Sequence, residues 1–368
     1  MRIASVVGAR PNFIKLAAVH EVISAFSEHT IIHTGQHYDY RLSEIFFKDF
    51  HLPKSDFDLV VGSGAPGIQI GEMLKRLQKI IDKNRNKFDA FLVYGDTNST
   101  LAGALCASKS GIKVAHVEAG VRSFDNRMPE EVNRILTDNL SDLLFAPTVT
   151  AVNNMLREHV RGRVVNTGDV SVEILNRACQ LLSRSSILDK YKLQCHEYDL
   201  MTLHRAENTN SKDSMVSFIR ALEIISHKAR KDFKIVFPIH PRTANFLKRV
   251  NLYSRLKKCE SVKIIDPVGY IDFIALMKNA RKILTDSGGI QKESYLLEVP
   301  CITLRKNTEW VETVKQGANI LTDTNTNNIV KAVIEWMPTS RAFKRKGIFG
   351  DGKTSQKIKQ LLIELIQQ

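Results

Sequence analysis

The feature that most limits the fold is an alternation of short apolar runs with stretches of helical period. Runs at 2–7, 30–34, 90–94, 113–117 and 143–146 have strand character, and 12–25, 40–50, 69–83, 99–108 and 130–140 read as helices. The 69–83 segment sets Ile70, Met73, Leu74, Leu77, Ile80 and Ile81 on one stripe, the spacing of a helix with one buried face. Strands that are apolar along their whole length are buried on both faces. That pattern calls for a parallel sheet with helices on either side, built from βαβ connections.

The rhythm weakens across 166–173, and the polar stretch 183–197 reads as linker or loop. A second series then begins, with strands at 198–203, 234–238, 262–265, 282–285 and 300–303 and helices at 211–229, 243–249, 270–279 and 289–297. At 368 residues, 43% of them hydrophobic, the chain is long enough for two cores. The expected fold is α/β: two Rossmann-like domains with a cleft between them. The expected divisions are 1–170, 171–350 and a last helix within 351–368 that packs back on the first domain. In such sheets ligands bind beyond the carboxyl ends of the strands.

Composition removes other classes. No stretch approaches the roughly 20 apolar residues of a membrane span, and the N-terminal apolar run is too short for a secretion signal. The five cysteines are scattered without C-x-x-C spacing, which suggests neither a disulfide framework nor a zinc site and fits a reducing cytoplasm. A net charge of +14 admits nucleic acid, a polyanionic small substrate or a basic host proteome. The basic residues are spread, with the densest cluster at Arg341, Lys344, Arg345 and Lys346, and no arginine-rich arm or aromatic RNA-binding pattern occurs. Neither G-x-S-x-G, a P-loop nor H-E-x-x-H is present.

The polar residues of interest stand just after the apolar runs. In Asp286-Ser287-Gly288-Gly289-Ile290-Gln291-Lys292-Glu293 a strand meets a glycine pair and then a helix. Glycines allow close approach of a ligand, and the helix start offers unpaired N–H groups that favour a phosphate. Glu293, in the first helical turns, could face a ribose. Arg10 and Lys15 occupy another strand-to-helix turn, Gly8-Ala9-Arg10-Pro11. Asp96 follows a strand in Tyr94-Gly95-Asp96-Thr97, Glu118 ends one in His116-Val117-Glu118-Ala119-Gly120, and Glu130 and Glu131 open a helix after Met128-Pro129. Helix-start acids are often only that. Several carboxyls at the ends of consecutive strands are less readily dismissed, because carboxyls in different environments can serve as acid and base. Leu203-His204-Arg205 and His240-Pro241-Arg242 add two histidine–arginine turns in the second series.

These segments in this order, together with His33-Thr34-Gly35-Gln36-His37, resemble the non-hydrolysing UDP-N-acetylglucosamine 2-epimerases over nearly the whole chain. The resemblance implies the glycosyltransferase-B kind of architecture and inversion at C2 of a UDP-linked 2-acetamido sugar. UDP leaves by anti-elimination to a bound 2-acetamidoglucal and adds back after C2 is reprotonated on the other face. By motif Asp96, Glu118 and Glu131 match the family's acid–base carboxylates, and His204 matches its histidine near the diphosphate. Ser287 and Gly288 match phosphate contacts and Glu293 a ribose contact, with Arg10 and Lys15 nearby. Gly289, His240, Arg242 and Arg305 complete the substrate-binding set. The resemblance implies no metal or nicotinamide, no nucleic acid or membrane partner, a homodimer, and a place in cell-surface polysaccharide precursor synthesis.

Two departures bear on the substrate. Many members carry Thr-Glu-Arg-Pro-Glu where this chain has Thr308-Glu309-Trp310-Val311-Glu312. The Trp310 form is similar to that of relatives acting on UDP-2,3-diacetamido-2,3-dideoxyglucuronate, so the alternative substrate is a modified UDP-hexosamine. Tyr38-Asp39 and the 69–74 stretch depart from the region where the bacterial enzymes are activated by substrate, so the resemblance does not extend to that activation. A glycosyltransferase of the same fold is the alternative of another class. It would need an acceptor site, whereas three carboxylates favour proton transfer.

Overall fold

The computed structural model describes residues 1–36, 50, 52–84, 88–209, 211–230, 232–339, 341–344 and 347–367. The expected helix at 40–50 lies, but for Phe50, outside them, as do His37, Arg345, Lys346 and the side chain of Arg10. The chain divides into two compact units, Met1–Asn176 with Gly347–Gln368, and Arg177–Lys346.

The described residues of the first unit form a seven-stranded sheet of β1 (Arg2–Val7), β2 (Glu28–His33), β3 (Phe57–Asp58), β4 (Ala90–Tyr94), β5 (Lys113–Val117), β6 (Leu143–Ala146) and β7 (Arg163–Asn166). Its order is β3-β2-β1-β4-β5-β6-β7, and every neighbouring pair is parallel. The order reverses between β1 and β4, which makes their carboxyl ends the topological switch point. The helix Pro66–Lys83 buries Met73, Leu77, Ile80 and Ile81 in one core with Phe91 and Val93 of β4 and Val114 of β5. The helix Asn98–Lys109 is rich in small residues, and Ala102, Ala104 and Ala107 are fully buried in that core. The last helix, Thr354–Gln367, packs on the helix Arg10–Ser24. Its start is held by Glu173, whose oxygens accept from Ser355 N at 2.7 Å and Ser355 Oγ at 2.6 Å.

The second unit repeats the plan. Its described strands are β8 (Tyr198–Thr202), β9 (Lys234–Pro238), β10 (Val262–Ile265), β11 (Lys282–Thr285), β12 (Cys301–Thr303) and β13 (Asn319–Leu321). They run parallel in the order β10-β9-β8-β11-β12-β13, with the switch point between β8 and β11. The helix Lys212–Lys228 carries Met215, Phe218, Ile219, Leu222 and Ile225 into a core shared with Ile235, Phe237 and Leu284.

Both sheets are of the parallel, helix-covered kind that the alternation requires. The sequence reading passes over β7, the helix Val149–Arg157 and β13, and the stretch read as linker contains the helix Ile187–Tyr191. Among the described residues β7 pairs only with β6 and has partly exposed residues throughout, so it lacks the continuous apolar run of a central strand. Among the described residues no helix is long and apolar enough to cross a membrane.

Candidate active site

In the first unit the turns leaving β1 and β4 are tied together by Asn12. Its Nδ2 donates to Tyr94 O at 2.7 Å, and its Oδ1 accepts from Gly8 N at 3.2 Å, Ala9 N at 3.1 Å and Thr97 Oγ1 at 3.1 Å. Gly95 then turns the chain with φ +66°, and a Cβ there would lie 2.9 Å from Lys15 Nζ and 3.6 Å from Glu118 Oε1. The conformation favours glycine, and a side chain there would have to move the Lys15 ammonium. Lys15 Nζ lies 3.1 Å from Glu118 Oε1, with side-chain exposures of 9% and 12%. Glu118 has φ +70°, a backbone state that costs a non-glycine residue free energy and that the surrounding contacts must hold.

Asp96 and Glu131 meet at one arginine. Arg134, on the helix Pro129–Leu140, donates from Nη2 to Asp96 Oδ2 at 2.5 Å and from Nη1 to Glu131 Oε2 at 2.7 Å. Glu131 also accepts from Ser123 N at 2.9 Å, Ser123 Oγ at 3.0 Å and Phe124 N at 2.8 Å. Its side chain is 1% exposed, against 25% for Asp96. The two carboxylates thus sit in different environments. Glu131 has both oxygens engaged in holding the 123–124 loop, and Asp96 keeps contact with solvent. Glu118 stands beside the same turn, so Asp96, Glu118, Glu131 and Lys15 form one cluster at the carboxyl ends of β4 and β5.

Beneath this cluster lies a buried polar network. His116 Nδ1 is 2.7 Å from Asp138 Oδ1, and His116 Nε2 is 2.8 Å from Gly95 O. Asp138 Oδ2 accepts from Gly120 N at 3.0 Å and lies 2.7 Å from Arg122 Nη2. Burial by itself would raise the Asp138 carboxyl, but His116 and Arg122 hold it below the usual carboxylate range.

In the second unit Asp286, the first residue of the glycine-pair motif, is fully buried. It accepts from His204 N at 3.2 and 3.1 Å, Arg205 N at 2.8 Å and Asn208 Nδ2 at 3.2 Å, so it pins the turn after β8 to the turn after β11. Ser287 is the N-cap residue of the helix Gly288–Leu296. A Cβ on Gly288 would lie 3.2 Å from Trp310 Nε1, a tight contact, so glycine lets this helix start sit close against the indole, while Gly289 is exposed. Glu293 is 7% exposed and accepts from Tyr270 OH at 2.7 Å. The helix start, Glu293 and the half-exposed His204 therefore line one switch point.

The remaining expected contacts stand in different settings. The His240 ring lies 6.1 Å from that of His204, and its Nδ1 accepts from Arg242 N at 3.2 Å to cap the helix Pro241–Arg249. Arg242 is exposed. Arg305 is 2% exposed and pairs with Glu309 at 2.8 Å and Glu207 at 2.9 Å. Lys292 Nζ sits 4.2 Å above the Trp310 ring, a cation–π contact between two buried side chains. The sequence reading assigned no role to Arg134, Asn12, Asp138 or Tyr270. Arg134 carried a signal, since it stands one helical turn after Glu131. The other three reach partners far along the chain.

The family model described as UDP-N-acetylglucosamine 2-epimerase matches residues 22–363. A relative from Methanococcus maripaludis, named UDP-N-acetylglucosamine 2-epimerase homolog, is 47% identical over 367 residues, covering 99% of this chain and 100% of its own. The UDP-2,3-diacetamido-2,3-dideoxy-D-glucuronate 2-epimerase of Pseudomonas aeruginosa is 41% identical over 376 residues, covering 99% and 100%. The crystal structure of the Methanocaldococcus jannaschii UDP-GlcNAc 2-epimerase in complex with UDP-GlcNAc and UDP is similar at a TM-score of 0.91 and 43% identity, covering 99% of this chain and 100% of that one.

Proposed function

The chain belongs to the UDP-N-acetylglucosamine 2-epimerase family, and from that premise we propose that it interconverts UDP-N-acetylglucosamine and UDP-N-acetylmannosamine by elimination and re-addition of UDP. The C2 proton is weakly acidic because no carbonyl activates it directly. Departure of UDP builds positive charge at C1 and eases its loss, so the enzyme must hold diphosphate charge and present proton-transfer groups to both faces of C2. The second unit supplies the first need. The amides at the start of the helix Gly288–Leu296 with Ser287 take phosphate, Glu293 takes the ribose, and His204 assists UDP departure. Arg10, Lys15, Gly289, His240, Arg242 and Arg305 are assigned to binding.

The first unit supplies the second need. Asp96 and Glu118 exchange the C2 proton, each beside a largely buried cation, Arg134 and Lys15 respectively. Glu131 acts on Asp96 through the arginine they share. The observation that carries the reading is this cluster of carboxylates, in unlike environments, at the ends of neighbouring parallel strands. The enzyme is assigned to the cytoplasm as a homodimer that supplies polysaccharide precursors; sedimentation equilibrium tests the pairing.

Proton NMR in heavy water with UDP-N-acetylglucosamine tests the reaction. The expected product is UDP-N-acetylmannosamine carrying deuterium at C2. Free N-acetylmannosamine and UDP would point to hydrolysis, and an absence of exchange would remove this substrate. A second reading, 2-epimerisation of UDP-2,3-diacetamido-2,3-dideoxyglucuronate, is favoured by the Lys292–Trp310 pair beside Gly288 and by the full-length similarity to the Pseudomonas enzyme. Turnover of that sugar without exchange on UDP-N-acetylglucosamine would select it.

A further inference from the structure

Asp96 and Glu118 belong to different strand ends, yet one buried carboxylate holds the backbone of both. Gly95 N donates to Val117 O at 2.9 Å, and Gly95 O receives His116 Nε2 at 2.8 Å, so the residue before Asp96 is clamped from both sides by β5. His116 stands two residues before Glu118 and Gly120 two residues after it. Asp138 binds both, the ring at 2.7 Å and the Gly120 amide at 3.0 Å. The clamp therefore spans Glu118 across its φ of +70°. His116 and Asp138 are fully buried. Both ring nitrogens of His116 face oxygen acceptors, a carbonyl and a carboxylate, so each is placed to donate a hydrogen bond. Arg122 completes the charge balance, with Nε and Nη2 on the two oxygens of Glu158 at 2.9 and 2.6 Å.

We propose that His116 and Asp138 are positioning residues for the reaction: they touch no substrate, and their hydrogen bonds set the backbone from which Asp96 and Glu118 are aimed. The inference rests on the assignment of those two carboxylates to proton transfer. It explains why a hydrogen-bonded histidine–aspartate pair stands in the core beneath the cluster, where an apolar pair would pack as well. A ring that donates at both ends joins the two strand ends rigidly, and a displacement of about 1 Å at reacting groups can cost about 10²-fold in rate.

The test compares D138A, D138N and H116F in the full chain. The side-chain amide of D138N can remake every hydrogen bond: it donates to a neutral His116 at Nδ1, while Nε2–H still reaches Gly95 O. Alanine and phenylalanine cannot. The expected result is a kcat loss of about 10²-fold in D138A and H116F with KM nearly unchanged, and recovery of at least about tenfold of that loss in D138N. Ring 15N NMR should show both His116 nitrogens protonated in the wild type and one in D138N. Amide exchange at Gly95 and Gly120 should accelerate in D138A. Equal kcat in D138A and wild type, D138N as impaired as D138A, or a wild-type ring with a single proton would each overturn the proposal. Should H116F not fold, the two Asp138 variants decide alone. Because the ring spectrum and amide exchange need no substrate, a wrong choice of UDP-sugar would appear as an inactive wild type with these signatures intact.

Discussion

Glu131→Gln separates two jobs a carboxylate at this place can do, clamping the loop after β5 or exchanging a proton with the sugar. One oxygen of Glu131 takes Phe124 N at 2.8 Å, and the other takes Ser123 N at 2.9 Å, Ser123 Oγ at 3.0 Å and Arg134 Nη1 at 2.7 Å. An amide has a single oxygen, so in either orientation its NH2 group opposes at least one backbone N–H. An unsatisfied donor of this kind costs about 1–3 kcal/mol. Arg134 also loses a charge partner, though Asp96 remains on its other nitrogen at 2.5 Å. That keeps the total near the low end of the roughly 3–5 kcal/mol seen when a buried pair is broken. A loss of about 3 kcal/mol in a unit of this size lowers Tm by about 6–12 °C. Differential scanning calorimetry measures this, and C2 deuterium exchange well below the transition measures the chemistry. The clamp reading expects the melting point to fall and some exchange to survive. A variant that melts within about 1 °C of wild type while losing all exchange would refute it and make Glu131 a reacting group.

Three further outcomes are expected. Asp96→Asn should lower C2 exchange by at least about 10²-fold while UDP affinity, read by titration calorimetry, stays within about tenfold. Gly95→Ala places a methyl 2.9 Å from Lys15 Nζ at φ +66° and should cost about 1–2 kcal/mol in urea denaturation, with kcat reduced because Lys15 is pushed off Glu118. His29 is held down to about 3, first by burial and then by the nearby His20. Its folded value lies below its unfolded one, so the unfolded chain binds the extra proton, and stability is complete above about pH 6.5 and lost as pH falls toward 3. The slope is at most about 1.4 kcal/mol per pH unit, or about 2 kcal/mol between pH 6.5 and 5. His29→Gln should flatten the melting-temperature profile in that window, and an unchanged profile would count against a ring held neutral in the fold.

Much of the architecture was legible because parallel strands covered on both faces leave an unmistakable trace. β1, β4, β5, β8, β9 and β11 each read as an apolar run, and the polar residues that follow them fall at strand ends because the chain must leave the sheet there. Two edge strands left no such trace: β7 is partly exposed and β13 is a three-residue strand, and both were passed over, whereas the edge strand β10 was read at 262–265. The candidate site was legible only as residue types at strand ends. Asp96, Glu118 and Glu131 were identified together, yet nothing in their spacing distinguished the carboxylate with both oxygens engaged from the one that keeps solvent. Asp286, prominent in the motif, turned out to be an internal anchor for the His204 turn.

By itself, the order of residues determined the class of fold, the two βαβ series and the turns that carry the candidate residues, because those follow from local period and from which segments avoid water. Pairing was decided only in three dimensions. Arg134 reaches Asp96 across 38 residues, His116 reaches Asp138 across 22, and Lys15 meets Glu118 from a different strand-to-helix turn. Those partners are chosen by the register of β4 against β5 and by where the helices Arg10–Ser24 and Pro129–Leu140 lie on the sheet. A charge in the interior is stabilised only by the group that packing brings within about 3 Å, and sequence distance carries no record of that.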